Sequence, residues 1–583
     1  MIKSGASLSA KHSEADSKTN QAKPLANYNM FASNPVLVQL VKSHGGNWGV
    51  PKLEEFGAFL GSLEADELAI QANRNEPELH THDRFGNRHD FVDFHPAYHA
   101  LMEASMKYGV HNLPWVDPRA GAHLVRAALM FMAFQNEAGH CCPMSMTYAC
   151  VPALRLQPDL AEIWMPKICS NNYDKRFLPA KHKNSVTLGM GMTERQGGSD
   201  VRANITTAVA KGQPGPGQEY MINGHKWFLS APMSDAFLVL AKIGTDLSCF
   251  LVPRWKPDET KNGIIINRLK DKLGNRSNAS SEVEFVDALG WLVGVEGRGV
   301  ATIIEMVNHT RLDCMLGAAG LMEQSKLQAM HHSNFRGAWG KMLIEHPLQL
   351  NVLADLALES EAALRLSMRV AAAFDRSATE SGEANFKRIA TAVGKYWICE
   401  RAPVHVAAAL ACFGGNGYVE EGPMPRLFRE SPLLGIWEGS SNVICLDVLR
   451  AIRTDPDSLD AFLAELELEL ELPPRTVDPF ELFKAFELYV AALRKDLVAL
   501  SADAKSKQPE VMARCEVSMR SVVERMAIAL QSSLMVRQAP QFVADAFIAS
   551  RIAHLGGRAF GTLPELADVK AIVERAYQLV SLT

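Results

Sequence analysis

Four short stretches of the chain combine residue types that do chemistry. Leu188-Gly-Met-Gly-Met-Thr-Glu-Arg-Gln-Gly-Gly-Ser-Asp-Val201 starts as an apolar strand and breaks into small and polar residues. Small residues let backbone come close to a flat ring, and Thr193, Ser199 and the strand-end amides can donate to it. Taken by itself, Gly-Gly-Ser-Asp is equally the composition of a tight turn. Asn223-Gly-His-Lys-Trp-Phe-Leu-Ser230 comes next. It reads as an Asn-Gly turn feeding a strand whose aromatic residues suit a ring face, or as an ordinary half-buried aromatic strand. Cys412-Phe-Gly-Gly-Asn-Gly-Tyr418 reads as a helix stop whose loop can pass close to a ligand. Gly435-Ile-Trp-Glu-Gly-Ser-Ser-Asn442 holds one acid, Glu438, between apolar and small neighbours. A carboxylate there is partly desolvated, which raises its pKa toward that of a working base. Taken alone, it is also a plain loop glutamate.

Metal chemistry is not expected. The ten cysteines include no CxxC pair and no Cys/His cluster with zinc spacing. His140 beside Cys141 is a potential ligand pair, but no second pair completes four ligands. Scattered cysteines in apolar company read as buried free thiols in a reducing cytosol.

These stretches sit in a chain of 583 residues, 47% hydrophobic, too long for one compact core. Residues 1–30 are polar, without the apolar region of a secretory signal, and read as a disordered tail. Residues 31–184 carry helical spacing, as in Ala122–Phe134 and Met144–Leu156. Pro158 followed by Asp159-Leu-Ala-Glu162 reads as a capping box. Residues 185–290 hold six short strands: Ser185–Met192, Glu219–Leu229, Ala236–Lys242, Ser248–Val252, Ile264–Leu269 and Glu282–Val286. Their Gly, Pro, Asn and Asp separators predict an antiparallel sheet or small barrel. Residues 291–455 return to helix. The Leu/Glu alternation of Ala464–Leu472 before Pro473-Pro474 reads as a helix end or an acidic spacer, and residues 476–583 predict about four amphipathic helices. The whole is an α+β chain. It contains no apolar run long enough to span a membrane.

The order of these motifs resembles the acyl-CoA dehydrogenase superfamily. Met192-Thr-Glu, Gly198-Ser-Asp, Lys226-Trp, a helical Arg336…Trp339-Gly340, Gly414-Gly-Asn-Gly-Tyr418 and Ile436-Trp-Glu-Gly439 occupy its signature places. Asp93-Phe-His-Pro-Ala-Tyr-His99, His225-Lys-Trp-Phe228, Arg268–Ser280 and Cys445-Leu-Asp-Val-Leu-Arg450 resemble its AidB-like, adaptive-response branch. The resemblance is dense from about Pro35 to Arg450. It implies an N-terminal helical domain, a central β domain, a C-terminal helical bundle and one extra helical domain, with FAD as cofactor.

Residue by residue, the resemblance implies that Met190, Met192, Thr193, Gly198 and Ser199 line the flavin, with Trp227, Phe228 and Ser230 continuing that wall. It implies that Arg336 meets the pyrophosphate of a neighbouring subunit's FAD, where a fixed bidentate cation suits phosphate. Gly414 and Gly415 would let backbone approach the nucleotide, and Ile436, Trp437, Gly439 and Asn442 would close over it. Glu438 stands where many members keep the base that removes the α-proton of an acyl-CoA. Some relatives keep that base just before the helix arginine, here Arg311, which is expected on the substrate side; Thr310 stands there and cannot serve. Trp437 and Asn308 depart from the usual Tyr and Asp, which points to an altered acyl-CoA site.

The branch also implies duplex DNA binding through the last helical domain. From Thr476 onward there are thirteen Lys or Arg against twelve Asp or Glu, and the whole chain carries a formal net charge of −5. Phosphate binding needs clustered cations, and Arg494-Lys495, Lys505 with Lys507, and Arg514, Arg520 and Arg525 are the local candidates. Glu465, Glu467, Glu469 and Glu471 in the spacer would repel a phosphate backbone. Two expectations follow: a weak dehydrogenase of short or branched acyl-CoA, or a DNA-associating flavoprotein with residual dehydrogenase chemistry. A cytoplasmic homotetramer or homodimer is expected.

Overall fold

The computed structural model describes residues 19–468, 478 and 480–581. By contact the chain divides into two units, Met1–Ser62 with Cys314–Thr583, and Leu63–Asp313. The chain opens with α1 (Pro35–Ser43) and α2 (Val50–Leu60), which belong to the first of these units. Residues 19–30 were expected to be part of a disordered tail; instead Leu25, Tyr28 and Met30 are buried, and the Tyr28 hydroxyl donates to Gln324 Oε1 at 3.0 Å. Three large apolar side chains among polar residues are enough to dock the segment. The rest of the predicted tail lies outside the described residues.

The Leu63–Asp313 unit begins with α3 (Leu63–Arg74), a hairpin of β1 (Glu78–His82) and β2 (Arg88–Asp93), then α4 (Pro96–Tyr108), α5 (Leu113–Val116), α6 (Ala122–Asn136), α7 (Cys141–Leu154) and α8 (Pro158–Ile168). The hairpin corrects the all-helical reading of this region. Asp83 accepts the amides of Phe85 and Asn87 while Gly86 takes a positive φ, so a local turn sets the hairpin. Helices α6 and α7 are buried on nearly every side, which explains their lack of a clean amphipathic stripe. The capping box at α8 is absent: Gln157 stands at the N-cap with no side-chain bond to a backbone amide of the helix, and its side-chain amide donates instead to the Asp159 carboxylate at 2.5 Å.

Seven strands follow: β3 (Leu188–Gly191), β4 (Thr207–Ala210), β5 (Glu219–Ser230), β6 (Ala236–Ile243), β7 (Asp246–Pro253), β8 (Ile264–Leu269) and β9 (Ser280–Val293). The ladder runs β6-β4-β5-β9-β7 and returns to β6, so pairing closes on itself, with β3 on β6 and β8 on β9. It is not purely antiparallel: β6 runs parallel to β3 and β4. The long connections from β3 and β4 to β6 allow this, where a tight hairpin would not. Strand β4 was not expected from sequence. Asn223-Gly224 is not a turn either but lies within β5 at a register shift, where a Gly224 side chain would collide with Thr206.

Helix α9 (Gly299–Phe335) runs across the boundary between the units. The unit containing the C-terminal half then holds a tight hairpin of β10 (Gly337–Ala338) and β11 (Lys341–Met342), followed by α10 (Pro347–Arg376), α11 (Ser381–Ala411), α12 (Met424–Glu430), α13 (Leu433–Ile436), α14 (Ser441–Thr454) and α15 (Pro456–Glu467). The last four described helices are α16 (Leu482–Asp503), α17 (Pro509–Gln538), α18 (Gln541–Arg551) and α19 (Val569–Ala576). Helices α17 and α19 pack on α10, and α17 also packs on α11 and α14.

The described part of the acidic stretch, residues 464–468, forms the end of α15. Glu465 is 6% exposed and held by Arg369 and Arg537, each at 2.6 Å, and Glu467 pairs with Arg494. Both carboxylates are therefore paired with arginine, Glu465 within the core and Glu467 at the surface. Glu469, Glu471 and Pro473-Pro474 lie outside the described residues.

Candidate active site

Within the Leu63–Asp313 unit the Thr-Glu segment is a tight turn stitched to β5. Glu194 and Gly197 exchange backbone hydrogen bonds, and the Thr193 carbonyl accepts the Trp227 amide at 2.9 Å. Glu194 is the anchor. Its carboxylate is buried and takes bonds from Lys226 Nζ at 2.6 Å, Gln196 Nε2 at 2.8 Å and the Ile205 amide at 2.7 Å. Burial alone would raise its pKa, but Lys226 and these donors outweigh it and hold it down at about 2. Gly198 comes so close to Thr193 that a side chain there would sit 2.7 Å from its hydroxyl.

This anchoring brings the predicted flavin wall together. Met190, Met192, Thr193, Trp227 and Ser230 are half-buried, Gly198 and Ser199 are exposed, and the Phe228 ring is 50% exposed at the outer end of β5. Lys270 Nζ lies 3.5 Å from the centroid of the Trp227 ring, so a cation covers one aromatic face. An exposed phenylalanine beside small residues and a fixed turn is a bed fit for a flat aromatic ring. Arg311 is buried on α9. Its neighbour Thr310 donates its hydroxyl to Met306 O and Val307 O within the same helix. That position offers no carboxylate, as expected.

The potential ligand pair His140 and Cys141 is otherwise engaged. His140 bonds Glu137 Oε2 at 2.9 Å and Ser105 Oγ at 2.9 Å, and Cys141 donates to Glu137 O. Among the described residues no group of three or more His, Cys, Asp or Glu side chains is placed to hold a metal ion.

The other unit assembles a second set. Arg336 was expected within a helical segment, yet α9 ends at Phe335. Arg336 leads into a hairpin whose turn residues, Trp339 and Gly340, have φ of +49° and +77°. Two positive φ values make this turn match the strand twist. The Asn20 side chain bonds both the amide and the carbonyl of Gly337, Arg336 donates to Asn20 O at 2.8 Å, and Gln21 accepts from Asn416. His332 stacks on Phe413 with ring centroids 4.4 Å apart. Arg336 and the Gly414–Tyr418 turn are thereby brought together. Gly414 and Gly415 are exposed, with nothing within 4 Å of where a side chain would stand. A guanidinium beside bare glycine backbone suits a phosphate-bearing ligand.

Ile436 ends α13, and Trp437, Glu438 and Gly439 form the link to α14. Ile436 is 64% exposed, while Trp437 and Glu438 are half-buried. Glu438 has φ of +57°, a left-handed conformation that costs a non-glycine residue about 1 kcal/mol or more. Lys395 on α11, 1% exposed, donates to Gly439 O at 2.6 Å and to Gly435 O at 3.3 Å, so one ammonium ties both sides of Glu438. Asn442 was expected to close over the cofactor. Its Oδ1 accepts from Arg520 on α17 at 3.1 Å, and Arg520 also donates to Glu400 Oε2 at 3.0 Å, while the other oxygen of Glu400, Oε1, takes the Ser441 hydroxyl. Sequence reasoning missed Lys395, Asn20 and Gln21. A lysine amid the apolar positions Ile389, Val393 and Ile398 was the available signal for the first; the other two carry none.

Three family models match the chain. The adaptive response protein AidB N-terminal domain matches residues 20–175, the acyl-CoA dehydrogenase middle domain 189–288, and the acyl-CoA dehydrogenase C-terminal domain 297–453. AidB of Escherichia coli (strain K12) is 44% identical over 469 residues, 80% of this chain and 86% of that protein. Acyl-CoA dehydrogenase family member 11 of Caenorhabditis elegans is 30% identical over 431 residues, 71% of this chain and 68% of that protein. The crystal structure of Caenorhabditis elegans ACDH-11 in complex with C11-CoA matches with a TM-score of 0.83 at 26% identity, covering 98% of both chains.

Proposed function

The chain belongs to the acyl-CoA dehydrogenase family, in its AidB-like branch, and on that premise we propose that it dehydrogenates a short or branched acyl-CoA with Glu438 as the base. It is an oxidoreductase with FAD as its cofactor. The observation that carries the reading is Glu438 itself, a half-buried carboxylate held left-handed between α13 and α14. Bound FAD supplies the acceptor for the hydride that leaves the substrate's β-carbon. The chain's own residues do the rest. Glu438 accepts the α-proton, and the electron pair of that C–H bond becomes the new Cα=Cβ bond as the β-hydride departs, giving an enoyl-CoA. The Thr193–Ser199 turn, Trp227, Phe228 and Ser230 bed the flavin ring. Arg336 meets the pyrophosphate of a neighbouring subunit's FAD, and Gly414 and Gly415 let backbone approach the nucleotide. Arg311 faces the substrate side, and Trp437, bulkier than the usual tyrosine, narrows the acyl pocket toward small chains. That C11-CoA is bound by a relative covering the same length supports an acyl-CoA as the substrate class.

Glu438→Gln keeps shape and neutral polarity but accepts no proton. Enoyl-CoA formation with an artificial electron acceptor should fall by at least about 100-fold, since positioned general bases contribute on the order of 10²–10⁴, while FAD stays bound. A fully active variant would remove Glu438 from the mechanism.

The second reading, duplex DNA binding through residues 476–583, rests on the branch, whose N-terminal model is that of an adaptive response protein. Several arginines counted toward a basic face are paired with acids: Arg494 with Glu467, Arg520 with Glu400 and Arg525 with Asp496. A steep loss of DNA affinity with rising salt is the outcome this reading requires.

A further inference from the structure

We infer that Lys395 is a positioning residue for Glu438, acting by locking the backbone on both sides of it. The inference deepens the proposed function and rests on Glu438 being the base.

Three observations carry it. The first is the conformation. Among the described non-glycine residues few have positive φ, and such strain persists only where the surroundings over-determine it. Glu438 is one of them, at +57°, and Gly439 follows at +102°. The second is the bonding. Lys395 Nζ donates to the carbonyl of Gly435, three residues before Glu438, and to that of Gly439, directly after it. The short helix α13 ends at Ile436, so its C-terminal carbonyls need a donor, and a cation at that end suits the helix dipole as well. The third is the burial of the lysine's own base. Lys395 is 1% exposed on the long helix α11 and follows Gly394, where any side chain would collide with Met315 Sδ of α9. The missing side chain at Gly394 leaves room for Met315 of α9 beside the turn of α11 that carries Lys395. A buried ammonium is costly to keep unless its donors are used. Here two of its three protons hold the stretch of backbone that carries the base, so the lysine decides where the Glu438 carboxylate stands without touching substrate itself.

The test uses the FAD-loaded full chain and the rate at which butyryl-CoA or isovaleryl-CoA bleaches the flavin without oxygen. K395M keeps the length of the side chain and removes its donors. We expect the limiting bleaching rate to fall at least tenfold while FAD content and the half-saturating acyl-CoA concentration stay within twofold. In the E438Q background, K395M should remove nothing further from the residual rate, because both changes act through one carboxylate. Amide hydrogen exchange should rise in the 435–442 segment and not in the Leu63–Asp313 strands. An unchanged rate in K395M, or the same fold loss in both backgrounds, overturns the inference while leaving Glu438 in place as the base. Full bleaching by E438Q overturns the base itself and the inference with it. Should K395M not fold, K395Q, whose shorter amide reaches at most one of the two carbonyls, replaces it. The rate should then fall with Glu438 present and stay level in E438Q; an unchanged rate, or equal loss in both backgrounds, overturns the inference.

Discussion

At the scale of single residues, the motif glutamates divide their work. Glu438, the proposed base, sits half-buried in a strained link. Glu194 is buried and bound on several sides, and its task is to hold the Thr193–Ser199 turn against β5. Its pKa is depressed to about 2 from the ordinary 4.5, so its stabilising contribution is complete above about pH 4.5 and is lost as pH falls toward 2. Lys226→Met would leave that carboxylate buried without its cation. Breaking a buried pair in this way costs about 3–5 kcal/mol; we expect a lowered melting temperature, more bound FAD lost on dialysis, and an acid limb shifted to higher pH. Unchanged thermal melting in K226M would show that the pair does not hold the turn. The sequence made the Thr-Glu, Lys-Trp and Trp-Glu pairs visible because their order and spacing are local. The partners Lys395 and Asn20 lie far along the chain from what they bind, and pattern alone does not pair them.

At the scale of elements, the strand and helix segments were largely legible. Five of the six predicted strands overlap β5 to β9, the other overlaps β3, and four described helices follow Phe480. The misses have physical causes. Strand β4 is four residues long with alternate exposure, β1 and β2 are rich in histidine and charge, and the Arg336 segment turns on Trp339, a residue seldom seen at positive φ. The last helices are bound to α10 and α11 through buried charge. Arg551 on α18 reaches Asp355 at 2.5 Å and Glu359 at 2.9 Å, and Arg401 also binds Glu359. Burial opposes ionisation of Glu359, yet the two arginines hold its pKa at about 2. Arg551→Met should therefore destabilise the chain by about 3–5 kcal/mol, read as a lower urea midpoint with one cooperative transition. A separate early transition confined to residues 480–581 would show instead that this region is an independent module.

At the scale of the whole molecule, buried histidines set the response to acid. Burial lowers His111 and His405 to about 4. A depressed histidine favours the neutral folded state, the unfolded chain binds more protons, and the stability from this source is complete above about pH 6.5 and lost as pH falls toward 4. Each such group steepens the loss by up to about 1.4 kcal/mol per pH unit. The melting temperature should thus begin to drop below about pH 6.5, before the carboxylates titrate; a flat profile from pH 7 to 4.5 would contradict this. Among the described residues no helix is long and apolar enough to cross a membrane. Family membership was legible in the ordered motifs, whereas the closure of the β ladder and the burial of Glu465 depend on long-range pairing that no local pattern records. Oxidation of an acyl-CoA through Glu438 is open to direct test by an anaerobic titration of the FAD-bound protein with isovaleryl-CoA and butyryl-CoA, following the flavin's visible absorbance. We expect bleaching in the unaltered protein and none on the same timescale in E438Q. Bleaching of E438Q at the same rate, or no bleaching of the unaltered protein with FAD plainly bound, would contradict a dehydrogenase that works through Glu438.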